Sequence, residues 1–506
     1  MLHCFQSKLK KRDYVRQRTI TLIHAILFII AIHTPIFAQS SLDSLLRTLP
    51  ETCTSLMQQR GWPSLSIAVV LDQKIIFSQA FGYADVDKQI LATTKTIYRV
   101  ASMTKLFNAT MLMQLAERGK VDINDPLVKY IPAYKPKYLP NTGPTTLRQL
   151  ATHTSGLHVD AAQGFWHYFS NFQWVVSKGK EKIVWGVTKD DLLSTLDKVE
   201  IEYTPNMYPH YSNFGFQLLG IALENAVHEP FEKYIKSNIL DPLDMKNSDF
   251  SLKEEQQTRF AVGYTYLEPD FQRYRAPDWD LSIIKYSGGL YSTPEDIARF
   301  ISFQFRDQSN NDRKILSGDG LRFMHTPQTM RSPESHDTYG IGWAIYEYEG
   351  HQVMGHGGGH WGFGSKIEVL PDLKLGVVIM TNCNYPQGYI GPNKDLTRIL
   401  IEKFIPILET KKTEQVFDLR NVEIQKYSGL YAVPGEYAHA EVHVKNDTLY
   451  FSLAEKPEFN AAILPVGLNR FCFAVDPGKH PMFRFGTDDS SKVVNLEFLE
   501  FRFKKK

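Results

Sequence analysis

A chain of 506 residues with 43% hydrophobic and 12% aromatic residues has the length for one large catalytic domain plus a smaller one, and the composition excludes a disordered protein. The formal charge of +2 is unevenly placed: residues 1–38 hold six Lys/Arg and one acid, and the remainder carries 51 basic and 54 acidic residues, a net of −3. That balance excludes an electrostatic footprint for nucleic acid.

At the N-terminus a basic stretch (Lys8, Lys10, Lys11, Arg12, Arg16, Arg18) precedes an apolar core, Ile20 to Ile32, and then Thr34-Pro35-Ile36-Phe37-Ala38. This is the pattern of an export signal over 1–38, with Ala38 on the cleaved side. The alternative is an uncleaved N-terminal anchor. Either way the expectation is a periplasmic or extracellular protein that meets the membrane only through this segment. No cysteine follows the core closely, which argues against a lipid anchor.

Residues 41–60 read as a helix around Leu45, Leu46, Leu49 and Leu56, with Pro50 as a kink. Ser64 to Leu71 and Lys74 to Ala80 read as two strands joined at Asp72-Gln73, followed by a turn-rich stretch from Gly82 to Thr96. Ser102-Met103-Thr104-Lys105 then opens an apolar run, Leu106 to Leu115, that reads as a buried helix. Three residues apart, Ser102 and Lys105 share one face of the first turn. A serine hydroxyl becomes a nucleophile when a neighbouring base takes its proton, and a partly dehydrated lysine beside a positive helix terminus can be that base.

The region from about 100 to 335 reads as largely helical. It holds an unusually aromatic stretch, Phe165 to Phe169 with Phe172, Trp174 and Trp185, that is either an ordinary apolar patch or a wall over a site. His153 and Ser155 read as bracing a turn. Tyr208-Pro209-His210-Tyr211-Ser212-Asn213 stands at the mouth of another helix. Tyr211 there can relay a proton, and the Asn213 amide can hold the lysine and a substrate carbonyl.

Strands return at Tyr339 to Glu347, His351 to Met354, Ser365 to Leu370 and Leu375 to Thr381. One sheet built from both ends of the domain, with a helical body inserted, is the simplest arrangement. Just before the last hairpin lies His356-Gly357-Gly358-Gly359, whose glycines let a strand edge approach a substrate and present a backbone N–H. With the N–H of Ser102 that makes an oxyanion hole. His351, His356 and His360 do not have the spacing of a zinc site, and the expectation is no metal and no cofactor.

Residues 409–420 gain charge and read as a linker between a domain over 39–408 and a small all-β module over 421–506, a barrel or a sandwich. Its strands are expected at Ala440 to Val444, Thr448 to Leu453, Arg470 to Val475, Met482 to Gly486 and Val493 to Phe503. Of four cysteines, Cys4 leaves with the signal, and Cys53, Cys383 and Cys472 are expected as buried free thiols.

Ser102-x-x-Lys105, Tyr211-x-Asn213 and His356-x-Gly358, in that order and roughly 110 and 145 residues apart, resemble the serine β-lactamase and penicillin-binding-protein superfamily. The best match is its class C branch, the peptidase S12 type, which includes D-alanyl carboxypeptidases, D-aminopeptidases and esterases. The flanks Thr145 to Leu157 and Ser287 to Asp296 agree, and the resemblance covers about residues 45–400.

The resemblance implies an α/β (α+β) fold, an antiparallel sheet flanked by helices. It implies that Ser102 is acylated and that Lys105 and Tyr211 share the base and acid roles. Asn213 would orient Lys105 and the substrate amide, and Gly359 would supply the second oxyanion N–H. His356-Gly357-Gly358 stands where the family's β-lactamases carry Lys-Thr-Gly, whose charge and hydroxyl help to bind a substrate carboxylate. That departure favours peptide (D-amino-acid or D-Ala type, cell-wall-related) or ester substrates over a class C-like β-lactamase. A non-catalytic penicillin-binding sensor is the reading from a different class.

Overall fold

The computed structural model describes residues 41–159, 182–184, 188–267, 272–276, 278–280, 282–305, 315–332, 337–360, 362–383, 396–414, 424–432, 439–445, 448–453, 456–467, 470–473, 483–487, 492–498 and 501–506. The expected signal (1–38) and the aromatic stretch from Phe165 to Trp174 with Trp185 lie outside these. Two compact units divide the chain, one over 45–403 and one containing 404–506.

In the larger unit the central element is an eight-stranded antiparallel sheet. Its strands are β1 (Ser64–Leu71), β2 (Lys74–Asp85), β3 (Ile90–Leu91), β4 (Thr338–Tyr339), β5 (Ala344–Tyr348), β6 (His351–His360), β7 (Phe363–Leu370) and β8 (Leu375–Thr381). The order is β4-β5-β6-β7-β8-β1-β2-β3. The two ends of the unit therefore meet at the middle, where β1 pairs with β8 from Leu65↔Thr381 to Leu71↔Leu375. β1 (SLSIAVVL) and β8 (LGVVIMT) are buried almost throughout. Such β-branched, two-sided burial marks strands covered on both faces.

Helix 41–59 continues through Pro50. β2 runs five residues beyond the expected end, into the stretch read as turns. Gly82 carries it: its φ is +76°, and a Cβ there would stand 2.2 Å from the Pro63 carbonyl oxygen. The Tyr339 to Glu347 strand is broken into β4 and β5. β6 runs on from Met354 through the glycine motif to His360, so the motif is itself a strand between β5 and β7.

The inserted body is helical around α1 (Thr104–Glu117). From Ala101 to Leu115 every residue is buried except Ser102. A helix apolar on all sides belongs in a core. Its few polar side chains reach surrounding carbonyls: Asn108 Nδ2 donates to Phe216 and Tyr286 (3.0 Å each), and Gln114 Nε2 to Asn238 and Ile315 (3.0 Å each). Two more helices matter below, α2 (Asn213–Val227) and α3 (Pro294–Gln304). α3, capped by Thr293 with Pro294 in its first turn, packs against β1 and β8.

The C-terminal unit settles the choice between barrel and sandwich. Strands β9 (Gly429–Ala432), β10 (His439–Lys445), β11 (Thr448–Leu453), β12 (Lys456–Gly467), β13 (Arg470–Phe473), β14 (Phe483–Thr487), β15 (Val493–Phe498) and β16 (Phe501–Lys505) form a closed barrel in chain order. β9 and β16 close it at Tyr431↔Lys505. Tyr427, Tyr431, Phe451 and Phe485 lead its packed core. Two strands, β9 and β12, had no sequence expectation, and the single strand expected over Val493 to Phe503 is a hairpin.

Helix α4 (Leu396–Glu414) extends into the segment expected as a linker, because Glu and Lys keep a helix going after the apolar stripe ends; residues 415–423 lie outside the described ones. Cys53 and Cys383 are buried free thiols, each pushed up to about 12 by burial, while the Cys472 side chain lies outside what is described. Among the described residues no helix is long and apolar enough to cross a membrane.

Fully buried Asn382, just past β8, locks the sheet to its surroundings. Its Oδ1 accepts from Ser64 Oγ (2.7 Å), and its Nδ2 donates to Val262 O (2.9 Å), Tyr83 O (3.1 Å) and Ala84 O (3.3 Å). Asn382→Leu removes these bonds, with Ser64 Oγ keeping only Tyr98 Oη and Ala84 O keeping Val262 N, and is expected to cost about 2–4 kcal/mol. A lowered urea midpoint for the larger unit, read by tryptophan fluorescence, checks this; an unchanged midpoint would contradict it.

Candidate active site

Ser102 lies in a single 3-10 turn, Ala101–Met103, that feeds directly into α1. Ala101 has φ +46°, a left-handed conformation that costs an alanine about 1 kcal/mol or more. The turn is held from several sides. Thr104 Oγ1 donates to Ala101 O (2.7 Å) and accepts from Leu290 N (3.1 Å). Val100 N donates to Leu290 O (3.0 Å), and Ser365 Oγ of β7 donates to Val100 O (2.8 Å).

Lys105, on the next turn, is fully buried. Its Nζ donates to three uncharged oxygens: Ser102 Oγ (3.1 Å), Asn213 Oδ1 (2.8 Å) and the Ser287 carbonyl (2.9 Å). The ammonium also stands 5.0 Å from the Tyr211 ring centroid and 5.8 Å from that of Phe216, within cation–π range. Asn213 is the first residue of α2. Ser212 caps that helix by accepting from Gly215 N (2.9 Å), and Asn213 N donates to Val159 O (2.7 Å). Tyr211 and Asn213 therefore arrive at Lys105 from either side of one N-cap.

The glycine motif comes in on β6. A Cβ on Gly358 would lie 2.2 Å from Val100 O and 2.3 Å from Ser365 Oγ, so only glycine lets this strand lie against the turn that carries Ser102. Gly359 follows it and pairs with Gly364 of β7. Gly357 is different: it is exposed, and a Cβ there would meet nothing within 4 Å.

His356 is buried, with its ring centroid 6.2 Å from that of Tyr211. Its Nδ1 donates to Gly357 O (2.6 Å), which leaves Nε2 as an acceptor. Burial first, and then the Lys105 charge, push its pKa down to about 3. The same causes, with His356 added, hold buried His153 well below the usual histidine range. Both imidazoles are neutral at pH 7, so the third motif carries no positive charge.

The structure thus gathers Ser102, Lys105, Tyr211, Asn213 and the His356 to Gly359 strand in one place. Chemically, an accessible hydroxyl hydrogen-bonded to a buried amine, beside a phenol, an amide and a glycine strand edge, is equipped for nucleophilic acyl transfer. Sequence reasoning missed the Ser287 carbonyl, because a backbone acceptor has no side-chain signature; the Ser287-Gly288-Gly289 flank was its only trace. It also gave His153 no contact with the site, and the Ser365 bond to Val100 was invisible.

Comparisons with known proteins place the chain among similar folds and sequences. "Protein flp" of Staphylococcus aureus (strain NCTC 8325 / PS 47) is 27% identical over 65% of this chain and 61% of its own length, so the chain spans about three fifths of that curated relative. The D-alanyl-D-alanine-carboxypeptidase/endopeptidase AmpH of Escherichia coli (strain K12) is 29% identical over 63% of this chain and 79% of that protein. Among solved structures, the octameric penicillin-binding protein homologue from Pyrococcus abyssi superposes with a TM-score of 0.58 at 26% identity, covering 92% of this chain and 100% of that one. A β-lactamase/D-alanine carboxypeptidase from Yersinia pestis shares the fold at a TM-score of 0.52 and 22% identity, over 70% of this chain and 95% of that one. The family model described as Beta-lactamase matches residues 49–399, and the chain belongs to that family.

Proposed function

We propose that this protein is an exported serine hydrolase that works through an acyl-enzyme on Ser102. Its substrates are peptides of the D-amino-acid or D-Ala type, or esters, rather than β-lactams. The observation that carries the reading is the 3.1 Å contact between Ser102 Oγ and the fully buried Nζ of Lys105.

In the proposed cycle the Lys105–Tyr211 pair first releases one proton to solvent, and Ser102 Oγ then attacks the substrate carbonyl as its own proton passes to that pair. The N–H groups of Ser102 and Gly359 receive the oxyanion. The carbonyl bond to the leaving group breaks, and the proton passes to that amine or alcohol. Water then adds to the acyl ester, returns a proton to Ser102 Oγ and releases the acid. Asn213, bonded to Lys105, keeps the amine aimed at Ser102 and offers its amide N–H to the substrate.

The third motif supports the choice of substrate. A neutral His356 with Nε2 as an acceptor offers nothing to a carboxylate, which is itself acceptor-only. The open space at Gly357 suits a leaving side that is bulky and uncharged. Peptide bonds of the D-amino-acid or D-Ala type and esters fit these conditions better than penicillins.

A fluorophosphonate probe is expected to label the full chain and not Ser102→Ala. Lys105→Met is expected to lower kcat/KM on p-nitrophenyl esters by about a thousandfold. A chain that shows no Ser102-dependent adduct with the probe or with fluorescent penicillin is not an acyl-enzyme hydrolase. Cephalosporin turnover matching ester turnover would reverse the substrate ranking.

Gly357→Thr adds a side chain where nothing obstructs it. The variant is expected to fold with an unchanged melting curve and to lose activity selectively on esters with bulky leaving groups. Equal losses on small and large leaving groups would show that this space is not used.

The neutral histidines also set a pH dependence of stability. In the unfolded chain they bind protons below about 6.5, and in the folded one His356 does so only near 3. The stability they allow is complete above pH 6.5 and is lost as the pH falls toward 3. His356 alone should account for about 2 kcal/mol of loss between pH 6.5 and 5. His356→Asn is expected to flatten the fall in urea midpoint over that window, and an unflattened fall would place the proton uptake elsewhere.

A further inference from the structure

His153 lies on the segment 153–159, which runs beside the loop that carries Tyr211 and Asn213. It follows the short helix Leu147–Ala151, which opens with a capping box between Thr146 and Gln149. The chain then turns sharply: His153 has φ +58°, a left-handed conformation uncommon outside glycine though less so for asparagine, aspartate and histidine. The conformation points the imidazole inward, where the residue is 1% exposed.

Three backbone hydrogen bonds and one from a serine side chain fasten the two segments. His210 N donates to His153 O (2.7 Å), Ser212 Oγ to His158 O (2.6 Å), Asn213 N to Val159 O (2.7 Å) and Phe214 N to Val159 O (3.2 Å). A further bond across the same gap, made by an imidazole, is the informative one. Ser212 N donates to His153 Nδ1 at 3.0 Å. That nitrogen is thereby the acceptor, and the ring proton sits on Nε2.

The ring faces matter as well. The His153 centroid lies 4.5 Å from that of Tyr211 at a 35° tilt, 4.9 Å from Phe216 and 5.0 Å from Tyr339, edge-on. One imidazole therefore grips the peptide between Tyr211 and Asn213 through its nitrogen and packs against the Tyr211 ring through its face. Protonation would turn Nδ1 into a donor and break the grip, and the buried, Lys105-facing setting opposes that protonation.

We propose that His153 is a positioning residue for the acyl-transfer site: by accepting from Ser212 N–H and packing on the Tyr211 ring, it fixes the Tyr211 phenol and the Asn213 amide on either side of Lys105. It touches neither the nucleophile nor the substrate. The proposal rests on the Ser102 acyl-enzyme reading given above.

Two variants test it in the full-length chain. His153→Gly removes the acceptor and the ring yet relaxes the left-handed backbone, and its melting curve is recorded beside its kinetics. His153→Asn keeps an acceptor oxygen near the Nδ1 position and tolerates positive φ. The expected result for His153→Gly is a fall of at least tenfold in kcat on p-nitrophenyl esters and in the rate of fluorophosphonate labelling, with KM within about twofold. His153→Asn is expected to recover most of kcat.

A kcat loss that follows KM, or one that His153→Asn fails to recover, would reduce His153 to a structural brace and overturn the proposal. So would wild-type kcat in His153→Gly. In each of those results the unmodified chain still labels at Ser102. If the unmodified chain shows no Ser102-dependent labelling, the acyl-enzyme reading itself is removed, and this proposal with it.

Discussion

The site depends on one buried cation. Lys105 has no solvent exposure and stands in the first turn of α1, where the helix macrodipole is itself positive. Taking an ammonium out of water costs several kcal/mol, and the cost is offset only where acceptors are already in place. Here they come from three places in the chain: Ser102 Oγ one turn back, Asn213 Oδ1 at the start of α2, and the Ser287 carbonyl in the helix Lys285–Gly288. One charge thereby fastens three segments at a point. Moving any of them by an ångström would leave the ammonium short of a partner, so site geometry and fold stability are coupled.

The same charge shapes its neighbours. Two buried histidines lie within reach of its field, and both are held neutral by burial and by Lys105. Their neutrality is what makes their hydrogen bonds definite. His153 accepts through Nδ1, whereas His356 donates through Nδ1. Burial and the lysine keep both rings neutral, and their hydrogen bonds to Ser212 N and Gly357 O then set opposite tautomers. Burial, helped by that charge, also leaves the third motif without the positive charge that a Lys-Thr-Gly strand would carry.

Much of this was legible in the sequence, and the reason differs by element. The α1 helix and the central strands announce themselves because burial on all sides needs unbroken apolar runs. The three motifs are legible because they combine rare residue types at fixed order. What could not be read was backbone chemistry. The Ser287 carbonyl, the Ser212 N–H and the Val100 carbonyl each bear on the site, and none depends on a side chain of its own. The limits of β2 and β6 were misjudged for a related reason. Glycine suggests a turn by propensity, but Gly82 and Gly358 are there so that two backbones can approach within a distance that no Cβ would allow.

Some of the backbone strain falls where these constraints meet. Among the described residues four of the left-handed non-glycine positions are Asp or Asn, Asp72, Asn141, Asn206 and Asp244, which tolerate that region, and Gln89, His228, Ser282, Glu349 and Lys374 adopt it away from the site. Ala101 and His153 adopt it within the site: one immediately precedes Ser102, and the other holds the peptide between Tyr211 and Asn213. A left-handed residue turns the chain within one position. At Ala101 that turn leaves Ser102 as the single accessible residue of an otherwise buried helix start. At His153 it sends an imidazole into the core instead of toward solvent. A fold selected for stability alone would place glycine or asparagine at both positions. Keeping alanine and histidine there is consistent with a molecule in which the direction of a side chain counts for more than the strain of aiming it.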